Sequence, residues 1–99
     1  MASWTVTFQD APEMVRIRAN KARRQAHIRF VQAHPELRIG GELAIEPQQD
    51  FPGAIWHVRA DSLGEVEELV RSDPYFIPSL RRFLIQDAGR IFAENDAHL

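Results

Sequence analysis

His27, Arg24, Ser72, Asp73 and Tyr75 are the side chains here whose types and spacing could do chemistry. An imidazole titrates near neutrality, so His27 can take a proton and return it. A carboxylate such as Asp73 beside it would hold the ring in one tautomer and stabilise its charged form. Arg23 and Arg24, one turn before His27, could hold a carboxylate or phenolate through charge-assisted hydrogen bonds. Ser72 and Tyr75 flank Asp73-Pro74 and offer hydroxyls. Each has a plainer use. His27 could be a core histidine bonded under a sheet. Asp73 before Pro74 could be only a helix cap with its first-turn proline, and the arginines could be solvated. His27 and His34 have no third ligand at matching spacing, so no metal site is expected. Gly40-Gly41 is neither a phosphate-binding loop nor a dinucleotide fingerprint, and no cofactor is expected.

The elements that must position these groups follow from periodicity. Trp4, Val6 and Phe8 alternate with Ser3, Thr5 and Thr7, the pattern of a strand with one apolar face. Asp10 or Ala11 then serves as a cap, with Pro12 in the first turn, and the pattern predicts one helix from about Pro12 to about Ala33. Arg18, Lys21, Gln25, Arg29 and Gln32 form its solvent stripe. Val15, Ala19, Ala22, Ala26, Phe30 and Ala33 form an apolar stripe, with Ile17, Ile28 and Val31 on the other flank. Opposite the solvent stripe runs a strip of Arg16, Asn20, Arg23, His27 and His34, with Arg24 at its edge. Burying such groups without partners costs about 2–7 kcal/mol each, and more for a charge. The strip therefore lines a polar cavity, or the arginines reach out along their stems and leave His27 inside.

Pro35 closes the helix. Leu37, Ile39, Leu43 and Ile45 mark a second strand, interrupted at Gly40-Gly41 where a bulge, a ligand or another backbone comes close. After a polar loop over Pro47–Gly53, Ala54, Trp56, Val58 and Ala60 give a third strand, antiparallel to the second. Ser62 and Glu65 match a capping box ahead of a short helix with Leu63, Val66, Leu69 and Val70 on its apolar edge. A last strand runs through Phe83, Leu84 and Ile85 and, after Gly89, Ile91 and Phe92; residues 94–99 read as a loose tail. The order strand–helix–strand–strand–helix–strand is that of a ferredoxin-like α+β domain, βαββαβ, spanning residues 1–93. Its four-stranded antiparallel sheet carries the helices on one face and needs cover on the other, so a sheet-to-sheet homodimer is expected.

Composition narrows the class. With 99 residues, 44% hydrophobic and 26% charged, the chain is expected to be one globular domain. No apolar run is long enough to cross a bilayer and no signal-peptide pattern opens the chain, so no membrane partner and a cytoplasmic location are expected. The net charge of −2 gives no overall pull towards nucleic acid. Arginines without interleaved aromatics, followed by Glu65, Glu67 and Glu68, argue against that partner as well. There is no cysteine, which removes disulfides and thiolate chemistry.

Arg24-Gln25-Ala26-His27-Ile28, Gly40-Gly41, Gly53, Asp61-Ser62 and Asp73-Pro74-Tyr75, in that order across nearly the whole chain, resemble the YCII-related family. Glu42 stands where that family often has proline after the glycines, and Gly89-Arg90-Ile91-Phe92 where it often has a Pro-Trp-like strand. The resemblance implies a ferredoxin-like subunit that dimerises through its sheet into an α/β barrel. It also implies a pocket faced by His27 and Asp73 as a catalytic pair. The wider superfamily includes cofactor-free isomerases, dehalogenating lyases and mono-oxygenases acting on small oxygenated rings.

The expectation is thus a cofactor-independent lyase or isomerase for a small anionic or phenolic ring compound. His27 transfers the proton, Asp73 orients it, and Arg24, Gly41, Ser72 and Tyr75 line the substrate site. The competing expectation is a non-catalytic dimeric module that binds a small ligand or a protein.

Overall fold

The computed structural model describes residues 2–40, 53–87 and 90–94. Strand β1 (Ala2–Asp10) lies at the centre of one antiparallel sheet, between β3 (Gly53–Ala60) and β4 (Arg81–Asp87). The sheet order is β2-β3-β1-β4-β5, with β2 (Leu37–Ile39) and β5 (Arg90–Glu94) at its edges. Its first four strands have the ferredoxin-like order, and β3 pairs antiparallel with β2 as the alternation predicts.

The period-two pattern of β1 decides which face is covered. Trp4, Val6 and Phe8 are buried with Trp56, Val58, Phe83 and Ile85. Their neighbours Ser3, Thr5 and Thr7 point to the other face. Helix α3 (Leu63–Ser72) seals the covered face with Val66, Leu69 and Val70. Ser62 starts it, its Oγ accepting from the Glu65 amide at 3.3 Å, while the Glu65 carboxylate reaches back to the Asp61 amide at 2.8 Å. That is the expected capping box, with the return bond one residue earlier than usual.

Three sequence expectations fail. The first helix is two helices, α1 (Met14–Ala19) and α2 (Lys21–Gln32), broken at Asn20. Asn20 adopts an extended ψ of 121°, its amide closes α1 on Arg16 and Ile17, and its Oδ1 accepts from the Arg23 amide at 2.9 Å to start α2. The break resets the helical phase. The proposed apolar stripe is therefore not buried: Val15, Ala19, Ala22 and Ala33 are exposed, and α2 meets the core through half-buried Phe30 and Val31. Asp10 does not cap a helix either, since it ends β1 and turns its carboxylate inward to Arg81. Finally, the last strand is two strands, β4 and β5, folded as a hairpin with a register shift at Ile85/Gln86, which adds a fifth strand.

Gly40 meets the expectation of close approach. A Cβ there would stand 3.2 Å from the carbonyl oxygen of Ile55, which already accepts the Gly40 amide at 2.6 Å. Gly41, Leu43, Ile45, the loop from Pro47 and the tail beyond Glu94 lie outside the described residues.

Candidate active site

His27 sits in the middle of α2, half-buried, with its ring turned towards the end of α3. There α3 stops at Asp73, whose φ of −67° and ψ of 128° end the helix before Pro74. Proline disfavours the helical conformation in the residue before it and has no amide to continue the ladder, so the exit is dictated locally. The Phe76 amide bonds the Asp73 carbonyl at 2.8 Å, and the Tyr75 amide bonds Asp73 Oδ1 at 3.1 Å. The carboxylate is thus locked by its own turn. Instead of starting a one-turn helix, it makes a side-chain turn of the kind Asp favours.

The same Oδ1 lies 2.7 Å from His27 Nδ1. Asp73 is buried and the imidazole keeps only 14% of its side-chain exposure. A carboxylate at Nδ1 holds the proton on that nitrogen and leaves the Nε2 lone pair as the basic site of the neutral ring. Nε2 has no hydrogen bond among the described residues. The geometry is that of an oriented base with a free outer nitrogen.

Tyr75 covers the imidazole face, with ring centroids 4.2 Å apart and planes 18° from parallel. Burial raises its phenol above the ordinary tyrosine value, against the lowering pull of the nearby Arg24 charge. The hydroxyl therefore stays protonated at neutral pH and can donate. Arg24 is exposed and makes no ion pair among the described residues, while Arg23 is taken up by the Pro74 carbonyl at 2.7 Å, pinning α2 to the turn. Ser72 has no described contact to His27, Asp73 or Tyr75. It is exposed on α3, and its hydroxyl lies 3.5 Å from Glu68 of the same helix. Gly41 is outside the described residues.

The sequence reading missed three residues. Arg81 is buried under the pair and gives Nε and Nη2 to the two oxygens of Asp10 at 2.7 and 3.0 Å. Its Nη1 reaches Asp73 Oδ2 at 3.5 Å, and its guanidinium lies 4.5 Å over the Phe8 ring. Arg18, assigned to the solvent stripe, bonds Asp10 Oδ2 at 2.5 Å instead. The signal that could have found them is Asp10 at the inner end of an otherwise apolar strand face, a carboxylate that needs a partner. His34, just beyond the end of α2, is structural: its Nδ1 bonds the Phe30 carbonyl at 2.7 Å. An open groove of about 710 Å³ runs past His34, Arg59, Asp61 and Glu65, away from His27 and Asp73.

No protein-family description and no curated protein matches the chain. A solved structure does. It is the 5-chloro-2-hydroxyhydroquinone dehydrochlorinase of Burkholderia phenoliruptrix in complex with 2,5-dihydroxybenzoquinone. The two chains superpose with a TM-score of 0.60 over 94% of this chain and 88% of the other, at 19% sequence identity. The likeness is one of fold. Among the described residues no helix is long and apolar enough to cross a membrane.

Proposed function

We propose that this chain is a YCII-related, cofactor-independent lyase or isomerase that moves a proton on a small hydroxylated or acidic ring compound. The observation that carries the reading is the 2.7 Å contact between His27 Nδ1 and Asp73 Oδ1, which leaves Nε2 to meet a substrate. In the reaction, Nε2 takes a proton from a ring hydroxyl or an acidic C–H, and Asp73 stabilises the imidazolium that forms. The electron pair left behind shifts through the ring. In an isomerisation another carbon takes the proton back from His27; in an elimination the pair expels an anionic leaving group and His27 releases the proton to water. Arg24 and the protonated Tyr75 hydroxyl face the developing oxyanion. A positioned base contributes about 10²–10⁴-fold. The fold shared with a dehydrochlorinase acting on a chlorinated hydroxyhydroquinone supports this substrate class.

The decisive experiment offers the protein a panel of halogenated and hydroxylated phenols, quinones and ring acids. It follows halide release and hydrogen exchange in D₂O, with His27→Gln as control. Turnover or exchange that His27→Gln abolishes supports the reading. Activity that survives the substitution, or none across the panel with no ligand shifting His27 resonances, sinks it.

A second reading is favoured by one observation: the bond from the Tyr75 amide to Asp73 Oδ1 gives that carboxylate a complete structural use. In that case the chain is a small-ligand or protein-binding module. In both readings it pairs with a second copy through the open sheet face.

A further inference from the structure

The open face of the sheet, turned away from the helices, carries a second polar cluster that strand register assembles. Arg38 on β2 stands opposite His57 on β3, and His57 stands opposite Thr5 on β1. Two positions further along β3, and so on the same face, Arg59 stands opposite Ser3. These five side chains line a cavity of about 190 Å³. Arg38, His57 and Arg59 are exposed, and among the described residues none of the five side chains has a hydrogen bond or ion pair. Glu36 and Asp61, which line the larger groove together with Arg59, do not line this cavity.

We infer that this cavity is a binding site for a small oxyanion group, a phosphate or a carboxylate. Two guanidinium groups on one sheet face with no carboxylate between them repel each other, and an anion seated there removes the repulsion. Guanidinium forks match the oxygens of both groups. An imidazole carries an N–H donor even when neutral, and Ser3 and Thr5 add hydroxyl donors. The volume decides the size of the ligand. It falls below the roughly 300–1,000 Å³ of a site that encloses a drug-sized molecule, so the cavity takes an anionic group and not a whole ring compound. The site is therefore independent of the His27 reading. Two residues along β1, Ile55, Thr7 and Leu84 form the row offered to a second copy. An anion between the arginines neutralises charge that such pairing would bury.

The test titrates inorganic phosphate, and separately acetate, into the full chain at fixed pH and at an ionic strength held constant with chloride. Backbone amide shifts are followed by NMR. Saturable shifts at Ser3, Thr5, Arg38, His57 and Arg59 are expected with at least one anion, and the tighter of the two names the group. Arg38→Gln and Arg59→Gln are each expected to weaken binding about tenfold. Arg82→Gln removes the same charge from the same face, opposite Gln9 and beyond the Thr7 row, and is expected to leave binding unchanged. Arg38, Arg59 and Arg82 are exposed, so all three variants are expected to fold. No saturation with either anion in the wild type overturns the inference. An equal loss in Arg82→Gln also overturns it, since that is diffuse attraction to a basic face. If a second copy fills the cavity with its own side chains, the wild type binds neither anion and the inference falls in the same way.

Discussion

The Tyr75 ring lies flat on the His27 imidazole, 4.2 Å between centroids, although His27 sits in the middle of α2 and Tyr75 in the turn after α3. The stack holds the imidazole plane while the Asp73 carboxylate holds its edge. Tyr75→Phe keeps the stack and loses only the hydroxyl. Its melting temperature at pH 7 is expected to stay within about 2–4 °C of wild type, in line with roughly 0.5 kcal/mol for a domain of this size. Its turnover is expected to fall. Tyr75→Leu is expected to lower both stability and turnover, as thermal denaturation and the turnover assay will report.

The same phenol makes stability fall at high pH. Its value is raised in the folded protein above the ordinary 10.0, chiefly by burial. The folded state thus holds the proton longer than the unfolded chain. The stabilisation is fully present below pH 10 and is lost as pH rises from there through the folded value. Urea unfolding between pH 8 and pH 11 is expected to show this alkaline loss in wild type and a shallower one in Tyr75→Phe.

Asp73→Asn and Asp73→Ala separate the turn from the charge. Asn can still accept the Tyr75 amide, so it is expected to be more stable than Ala by about 1 kcal/mol in urea unfolding. Both lose the charge facing His27. Turnover is expected to fall by about 10²–10⁴-fold in either. A full-rate Asn variant would leave Asp73 with its turn alone.

Removing Arg81 leaves two buried carboxylates facing each other across its place. Arg81→Met is expected to cost about 3–5 kcal/mol, the range for breaking a buried pair from one side. Urea unfolding measures it. A cost under about 1 kcal/mol would mean that these carboxylates are open to water.

Asn20→Ala removes the side chain that starts α2 and with it the support of His27. A lost cap costs about 0.5–2 kcal/mol, and Asn20→Asp, which caps equally well, is expected to recover it.

The open sheet face predicts a dimer. Ile55 and Leu84 flank Thr7 across the strands there, half-buried in the single chain. Light scattering is expected to give twice the chain mass for wild type and the monomer mass for Leu84→Lys. A monomeric wild type would remove the dimer from the reading.

Much of this arrangement is local and is written in the order of residues. Alternation in Trp4–Phe8 makes β1, the Ser62/Glu65 box starts α3, and proline after Asp73 ends it, because each depends on neighbours a few positions apart. Polar groups around His27 also announce a demanding helix face, since they need partners that the helix itself does not supply. The pairing of His27 with Asp73, 46 positions away, had support in the motif resemblance but no local cause. Asn20 could not be read as a break, because asparagine is tolerated within helices and its cap role depends on ψ. The β4–β5 hairpin and the Asp10–Arg81 contact depend on where strands meet. Arg81 follows no periodic rule that marks it as buried. It is held there by a carboxylate 71 positions earlier, and that meeting exists only once β1 and β4 lie side by side.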